Sequence, residues 1–492
     1  KQKNLSGEQE NYITRNQWDR YKRARDNGHL EYIDMAQKCD AFYRGEQWDQ
    51  MDIAALDEEG RPALTINTIL PTVNTVIGEQ STRRMDINFK PRRNADEETA
   101  VVLNKLFKQI GDNNKLDWVE SQVFSDGLIQ DRGYFDVRLD FSDHVEGEIK
   151  IIAENGSSFG LDSVEYEEQR YGDVNNGLEY REDAISDPEE VGAVRAIRVI
   201  ERQHRKLHLC EFYVDEETGD MREVPMGWSK TKRNKFADQF GLGIIEKLVK
   251  KVRWTVTADK VVLHDDWSPY SDFTIVPYFP YWRRGRPFGM VRNLLSPQEQ
   301  LNKISSQELH IVNTTANSGW MVESGSLVGM TADDLEEHGA ETGLVLEYNR
   351  GSQPPSKIPH NTIPTGLDRI AQKAALNVKE ISGISDSMLG SDSPEVSGVA
   401  IRAKQERGAL MIQVPLDNLT KTRQYLAENM LGLIQRFYTE ERIIQVTNEE
   451  DPMKPREPMV INEMTPEGTI INDLTIGEYD VIVGTAPARD NF

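Results

Sequence analysis

Cysteine is nearly absent from this chain: Cys39 and Cys210 are the two present, and no CxxC spacing joins them. That excludes a disulfide-rich scaffold and predicts two structural thiols in a reducing compartment. Long apolar runs are missing too. No stretch approaches the ~20 apolar residues that span a bilayer, so neither a membrane-spanning helix nor a membrane partner is expected. The start, Lys1-Gln2-Lys3-Asn4, has no Met and no apolar core after it. It reads as the edge of a fragment of a longer gene product, not as a secretory signal.

Catalytic signatures are also missing. Without GxxxxGK[ST] there is no P-loop phosphate cradle, which excludes an ATP-driven motor, and neither HExxH nor GxSxG occurs. Gly241-Leu242-Gly243 lacks a third Gly and reads as a turn. Asp140, Asp143, His144, Glu146 and Glu148 could gather a hard cation, the basis for a carboxylate nuclease or hydrolase. They fall between two strand-like runs, so a solvated hairpin tip is the expected reading, and His264-Asp265-Asp266 has the same weakness. No catalytic residue, cofactor or metal ligand is assigned. The chain is expected not to be an enzyme.

What is present is acidity and length. The 492 residues carry 82 Asp and Glu against 58 Lys and Arg, a net charge of −24, with 38% hydrophobic residues. About three domains fit that length, and the surface-tilted composition suits an elongated subunit. Such acidity argues against a sequence-specific DNA binder, which needs a basic stripe to neutralise phosphates. Four basic clusters stand out: Arg83, Arg84, Arg92 and Arg93; Lys230, Lys232, Arg233 and Lys235; Lys247, Lys250, Lys251 and Arg253; and Arg283, Arg284 and Arg286. Each is expected to face carboxylates on its own surface or on a neighbouring subunit, with phosphate contact as the alternative.

Periodicity predicts an α+β fold without internal repeats. A helical, mixed-charge start runs from Asn16 to the aromatic cluster Phe42–Trp48, and residues 95–130 read as two amphipathic helices. Residues 131–285 are mainly β, with strands predicted at 134–140, 148–151, 194–201, 208–214 and 252–263 and a helical, acidic insertion near 162–190. From Gly289 the chain is helical again. Gln298–Asn317 is rich in Asn, Ser, Gln and Thr and has few residues to bury. It therefore needs neighbours on polar faces or a wet lumen, unless it is an ordinary amphipathic helix. A second helix runs from Leu367 to about Ile384, with Leu367, Ile370, Ala374, Val378 and Ile381 on one stripe. A polar loop, Ser385–Glu395, follows. Ser397 reads as the N-cap of a very long helix to Tyr438, kinked by Pro415. Strand-like Ile443–Thr447 and Tyr479–Gly484 close the chain.

The order of these pieces resembles the portal proteins of tailed bacteriophages, those of short-tailed phages above all. Five stretches carry it: Phe42–Trp48 with Arg61–Asn67 and Val76–Glu79; Pro287–Arg292 with Gln300–Lys303; the helix, Gly/Pro-rich segment and helix from 298 to 384; Val396–Ile401; and Gly477–Val481 with Val483, Gly484 and Pro487. The resemblance implies a structural virion protein, a homododecamer at one capsid vertex, assembled in the host cytoplasm. Its DNA channel would serve viral genome packaging, retention and ejection as the head-tail connector. Partners implied are sibling subunits, the terminase packaging motor, a head-to-tail adaptor, the major capsid or scaffolding protein, and double-stranded DNA passing without sequence specificity. The alternative is a capsid-associated structural or scaffold protein without a DNA channel.

In the same terms, residues 1–290 are the wing, 291–320 the first stem helix, 321–364 the clip and 365–384 the second stem helix. Residues 385–396 are the tunnel loop, 397–438 the long kinked helix and 439–492 the return to the wing, with a crown expected beyond Phe492. Candidates to face the channel are Lys303, Arg369 and Lys373 on the stem and Ser387, Met388 and Ser391 in the loop.

Overall fold

A computed structural model describes residues 5–83, 85–93, 97–141, 147–155, 199–214, 221–224, 228–316, 319–339, 341, 343–358, 367–384, 410, 412–438, 442–446, 457–464, 470–471, 474 and 478–485. The predicted insertion near 162–190 and the loop 385–396 lie outside them. The chain folds into two compact units, Lys1–Gln37 with Gln80–Phe288 and Val414–Phe492, and Lys38–Glu79 with Gly289–Gln413. Residues 38–79, expected with the wing, thus cluster with the segment expected as stem and clip.

The first unit mixes helices and antiparallel sheets, as its patterning predicts. Helix α1 (Gly7–Ala24) starts in a capping box, Ser6 with Gln9, nine residues before the expected start at Asn16. Between it and α2 (Leu30–Arg44), Gly28 takes a left-handed φ of 99° and kinks the chain. α3 (Gln50–Glu58) and most of α4 (Ile69–Thr82) fall in the second unit, and β1 (Met85–Arg93) returns to the first. The two helices predicted in 95–130 are α5 (Glu97–Asn113) and α6 (Leu116–Gln130). β2 (Gly133–Asp140) lies between β3 (Glu148–Asn155) and a later strand in a three-stranded sheet.

Next comes β4 (Val199–Val214), one strand where two were predicted, then β5 (Met221–Glu223). Its exposed middle alternates on neither face, so periodicity lost it. α7 (Lys230–Phe240) was read only as a basic cluster. Ser229 caps its start, and Gly241 in left-handed geometry closes it, which accounts for the Gly241–Gly243 turn. β6 (Gly243–Ala258) and β7 (Val261–Trp267) replace the single predicted run 252–263, divided at Asp259, whose φ is 48°. The sheet order is β5-β4-β6-β7. α1 lies on it: Gln17 Nε2 donates to the carbonyls of Ile200 and Thr255, both at 3.2 Å.

β8 (Ile275–Tyr278) completes the three-stranded sheet on β2. The Tyr278 ring is fully buried against α6, and only Gly127 allows the approach, because a Cβ there would stand 2.5 Å from that ring. β9 (Tyr281–Arg283) and β10 (Arg286–Phe288) form a hairpin.

In the second unit, α8 (Val291–Ala316) begins before the predicted Gln298. β11 (Trp320–Met321) pairs with β12 (Ser356–Lys357) around α9 (Ala332–His338), whose N-cap is Thr331. Trp320 Nε1 donates to the Gly339 carbonyl at 2.9 Å and ties this small lobe together. α10 (Leu367–Ser382) packs along α8.

Back in the first unit, α11 spans Gln413–Phe437. Leu410 is helical and Ile412 is in a turn, so α11 begins anew at Gln413 and Pro415 occupies its first turn. In a first turn the missing N–H has no intrahelical partner to lose, and most of the expected run from Ser397 to Pro415 lies outside the described residues. Its polar side holds the segment before it in space: Asn418 Nδ2 donates to Pro280 O (2.9 Å), Thr422 Oγ1 to Pro277 O (3.2 Å) and Asn429 Nδ2 to Phe273 O (3.0 Å). β13 (Arg442–Val446) pairs with β14 (Glu457–Ile461), and β15 (Glu463–Met464) with β16 (Ile470–Ile471). β17 (Glu478–Thr485) returns to pair along the whole of β1.

Candidate functional site

Helix α8 carries a polar stripe at four-residue spacing, Gln298, Asn302 and Ser306, and all three side chains are buried. Four helical residues rise roughly 6 Å, and two extended residues about 6.6 Å. The two repeats keep step, so alternate residues of an extended segment can meet successive turns of the helix. The segment that does so is Leu64–Thr68, running in the opposite direction.

Leu64 N donates to Ser306 Oγ at 2.9 Å, Ile66 N to Asn302 Oδ1 at 3.0 Å and Thr68 N to Gln298 Oε1 at 3.3 Å. Gln298 Nε2 donates back to the Ile66 carbonyl at 2.6 Å. Asn302 Nδ2 reaches Gln47 Oε1 at 2.6 Å, and Trp48 Nε1 donates to Leu64 O at 3.0 Å. Asn67 Nδ2 donates to Tyr43 O at 2.9 Å, while its Oδ1 accepts from Ile69 N and Leu70 N and so caps α4. The stretches Phe42–Trp48, Arg61–Asn67 and Gln300–Lys303, far apart in sequence, meet in this one network.

The polar composition of α8 was expected to mean sibling helices or a wet lumen, unless the helix is an ordinary amphipathic one. In part it has another cause. Three of its polar residues satisfy backbone donors of its own chain that would otherwise be buried unpaired, at a cost of about 1–3 kcal/mol each. Period reading misses this because a polar stripe looks like a solvated face. The available signal was the four-residue spacing of amides and hydroxyl beside the extended run Leu64–Thr68.

The channel candidates on the stem are exposed. Lys303 borders an open cavity of about 430 Å³ together with Lys38, Glu46, Asp49, Asp52 and Glu299, and Lys38 pairs with Glu299 at 2.9 Å. Arg369 and Lys373 are exposed on α10. Of the stripe predicted for that helix, Ala374 and Val378 are buried, but Ile370 and Ile381 are not. Together with Leu376 and with Val312 on α8, they are 42–56% exposed. Ser387, Met388, Ser391 and Ser397 lie outside the described residues.

Some of the remaining candidates form ion pairs. Asp140 holds Lys150 at 3.0 Å, and residues 142–146 are outside the described set. Asp265, on β7, is pushed up by burial but held below its ordinary value by hydrogen bonds from Arg253 and Thr255. Among the described residues no group of His, Cys, Asp and Glu is arranged to hold a metal ion, and no helix is long and apolar enough to cross a membrane. Arg83, Arg283, Arg284 and Arg286 are exposed, and Arg92 lies 3.6 Å from Asp480.

One buried ion pair escaped sequence reading: Glu120 on α6 with Arg423 on α11. Burial pushes the Glu120 carboxyl above its ordinary value, against the charge and hydrogen bond of Arg423 and a 2.7 Å bond from Gln80 Nε2. Gln80, Glu120 and Arg423 border a cavity of only about 10 Å³, and Ser121 Oγ donates to Gln80 Oε1 at 3.1 Å. They hold elements together.

Compared with known families, residues 18–492 match a family described as Phage P22-like portal protein. No curated protein matches the chain.

Proposed function

The chain belongs to the P22-like portal protein family, a structural component of the bacteriophage capsid with a part in genome packaging, and from that premise we propose that its copies form a ring around a DNA channel. The ring is taken as twelve subunits at one capsid vertex. Double-stranded DNA enters through it during packaging and leaves through it at ejection. The packaging motor, a tail adaptor and the capsid or scaffolding protein dock on it in turn.

The observation that carries this reading is the uncovered apolar surface of α8 and α10. Val312, Ile370, Leu376 and Ile381 lie on two packed helices of one subunit, and each remains largely open to solvent. A row of sibling helices is what such a surface suits. In the same picture Lys303, Arg369 and Lys373 are channel-facing cations of the stem on a chain of net charge −24, whose bulk field keeps DNA from sticking.

Electron microscopy and mass measurement of the purified chain test the proposal. A closed ring with a central opening wide enough for duplex DNA is expected. A filament, or a monomer at every concentration, overturns it and favours a channel-free capsid scaffold.

A further inference from the structure

β4 and β6 pair over their full lengths, from Val199 opposite Ala258 to Val214 opposite Gly243. β7 joins β6 only from Arg253 onward, and β5 joins β4 only from Phe212 onward. Between these limits, Lys206–Glu211 and Glu246–Lys251 form a ribbon with no third strand among the described residues. A two-stranded ribbon is marginal in water and gains from a covered face.

One face offers the means. Leu207 stands opposite Lys250 and Leu209 opposite Leu248, so strand alternation puts the three leucines side by side. They are 52–62% exposed. Farther along the same face Glu211 pairs with Arg233, and Tyr213 packs with Ala237, so α7 covers the end of the ribbon and leaves the leucines open. A single exposed leucine needs no cause, but three adjacent ones on a thin ribbon do.

Charge indicates the occupant. Residues 229–251 hold seven Lys and Arg against two Asp and Glu, whereas the whole chain holds 58 against 82. Lys250 is exposed beside the leucines, and on α7, which covers the end of the same face, Lys230, Lys232 and Lys235 are exposed. A cationic rim around an apolar centre fits a protein surface rich in carboxylates, and this chain's own surface is one.

We infer that the ribbon is a docking arm that seats Leu207, Leu209 and Leu248 on an acidic surface of a second copy of the chain. This rests on the ring proposed above and names one of its contacts. A heterologous contact of this kind, arm to body, is the type that closes a ring. Duplex DNA would satisfy the lysines but give three leucines nothing to bury against.

The full chain is assembled with Leu248 replaced by the photo-cross-linker benzoylphenylalanine and irradiated with duplex DNA present. An adduct of two chains is expected, with the captured peptide rich in Asp and Glu. A cross-link within one chain, or to DNA alone, overturns the arm. In parallel, L209S/L248S and K235E/K250E are followed by mass photometry. Each is expected to raise the concentration for half-assembly at least tenfold, with an unchanged melting curve for the subunit. Rings that assemble as the unaltered chain does refute the arm and leave the ring standing, whereas an unaltered chain that never associates removes both. The cross-link decides the matter should a double variant lose its fold.

Discussion

Asn302 donates to Gln47 at 2.6 Å with one end of its amide and accepts from Ile66 N with the other, so a single side chain joins three separate parts of the chain. Asn302→Leu keeps the size but leaves the Ile66 N–H and the Gln47 oxygen buried without partners. A loss of about 2–4 kcal/mol is expected, read as a lowered urea midpoint. Because Gln298 shares the same network, Asn302→Leu and Gln298→Leu together should cost less than their separate losses combined.

The Glu120–Arg423 pair should behave as a buried charge pair does. Arg423→Met alone strands a carboxylate and should cost about 3–5 kcal/mol, while Glu120→Gln with Arg423→Met recovers most of it. The pH dependence has a definite sign. Glu120 is held above its ordinary 4.5, so the folded protein binds this proton more tightly than the unfolded chain. Its contribution to stability therefore declines as pH rises above 4.5, more steeply in Arg423→Met, and the single variant's deficit narrows toward acid pH. Denaturation midpoints across that range check it. A deficit that does not change with pH rejects the account.

Pro415→Ala should change little. Pro415 sits in the first turn of α11, where no intrahelical bond is lost, and its carbonyl, which accepts from Tyr278 Oη at 3.1 Å, is kept by alanine. A change within about 1 kcal/mol and an unaltered helix axis are expected. A markedly straightened or lengthened helix in a structure of the variant would support the kink read from the sequence instead.

Deleting Ser387–Pro394 tests the loop assignment, which rests on the resemblance and the sequence. Rings should still assemble, and DNA packaging or retention should fall, as measured by genome content per particle. Failure to form rings would make the segment structural instead.

Much of this protein was legible before any coordinates. Periodicity gave β2, α10 and β17 closely and two helices within 95–130; α5 and α10 gather apolar residues on one side, and an amphipathic pattern records that directly. The family was legible too, through short stretches in a fixed order. Tertiary structure alone decided what the polar residues do. Gln298, Asn302 and Ser306 looked like a wetted face and are instead buried against the backbone of Leu64–Thr68. Glu120 and Arg423 lie 303 positions apart with no local mark of their pairing. Side-chain period reports whether a face is apolar, but a hydrogen-bonded polar face and a solvated one read alike, and only the partner brought in from elsewhere in the chain distinguishes them.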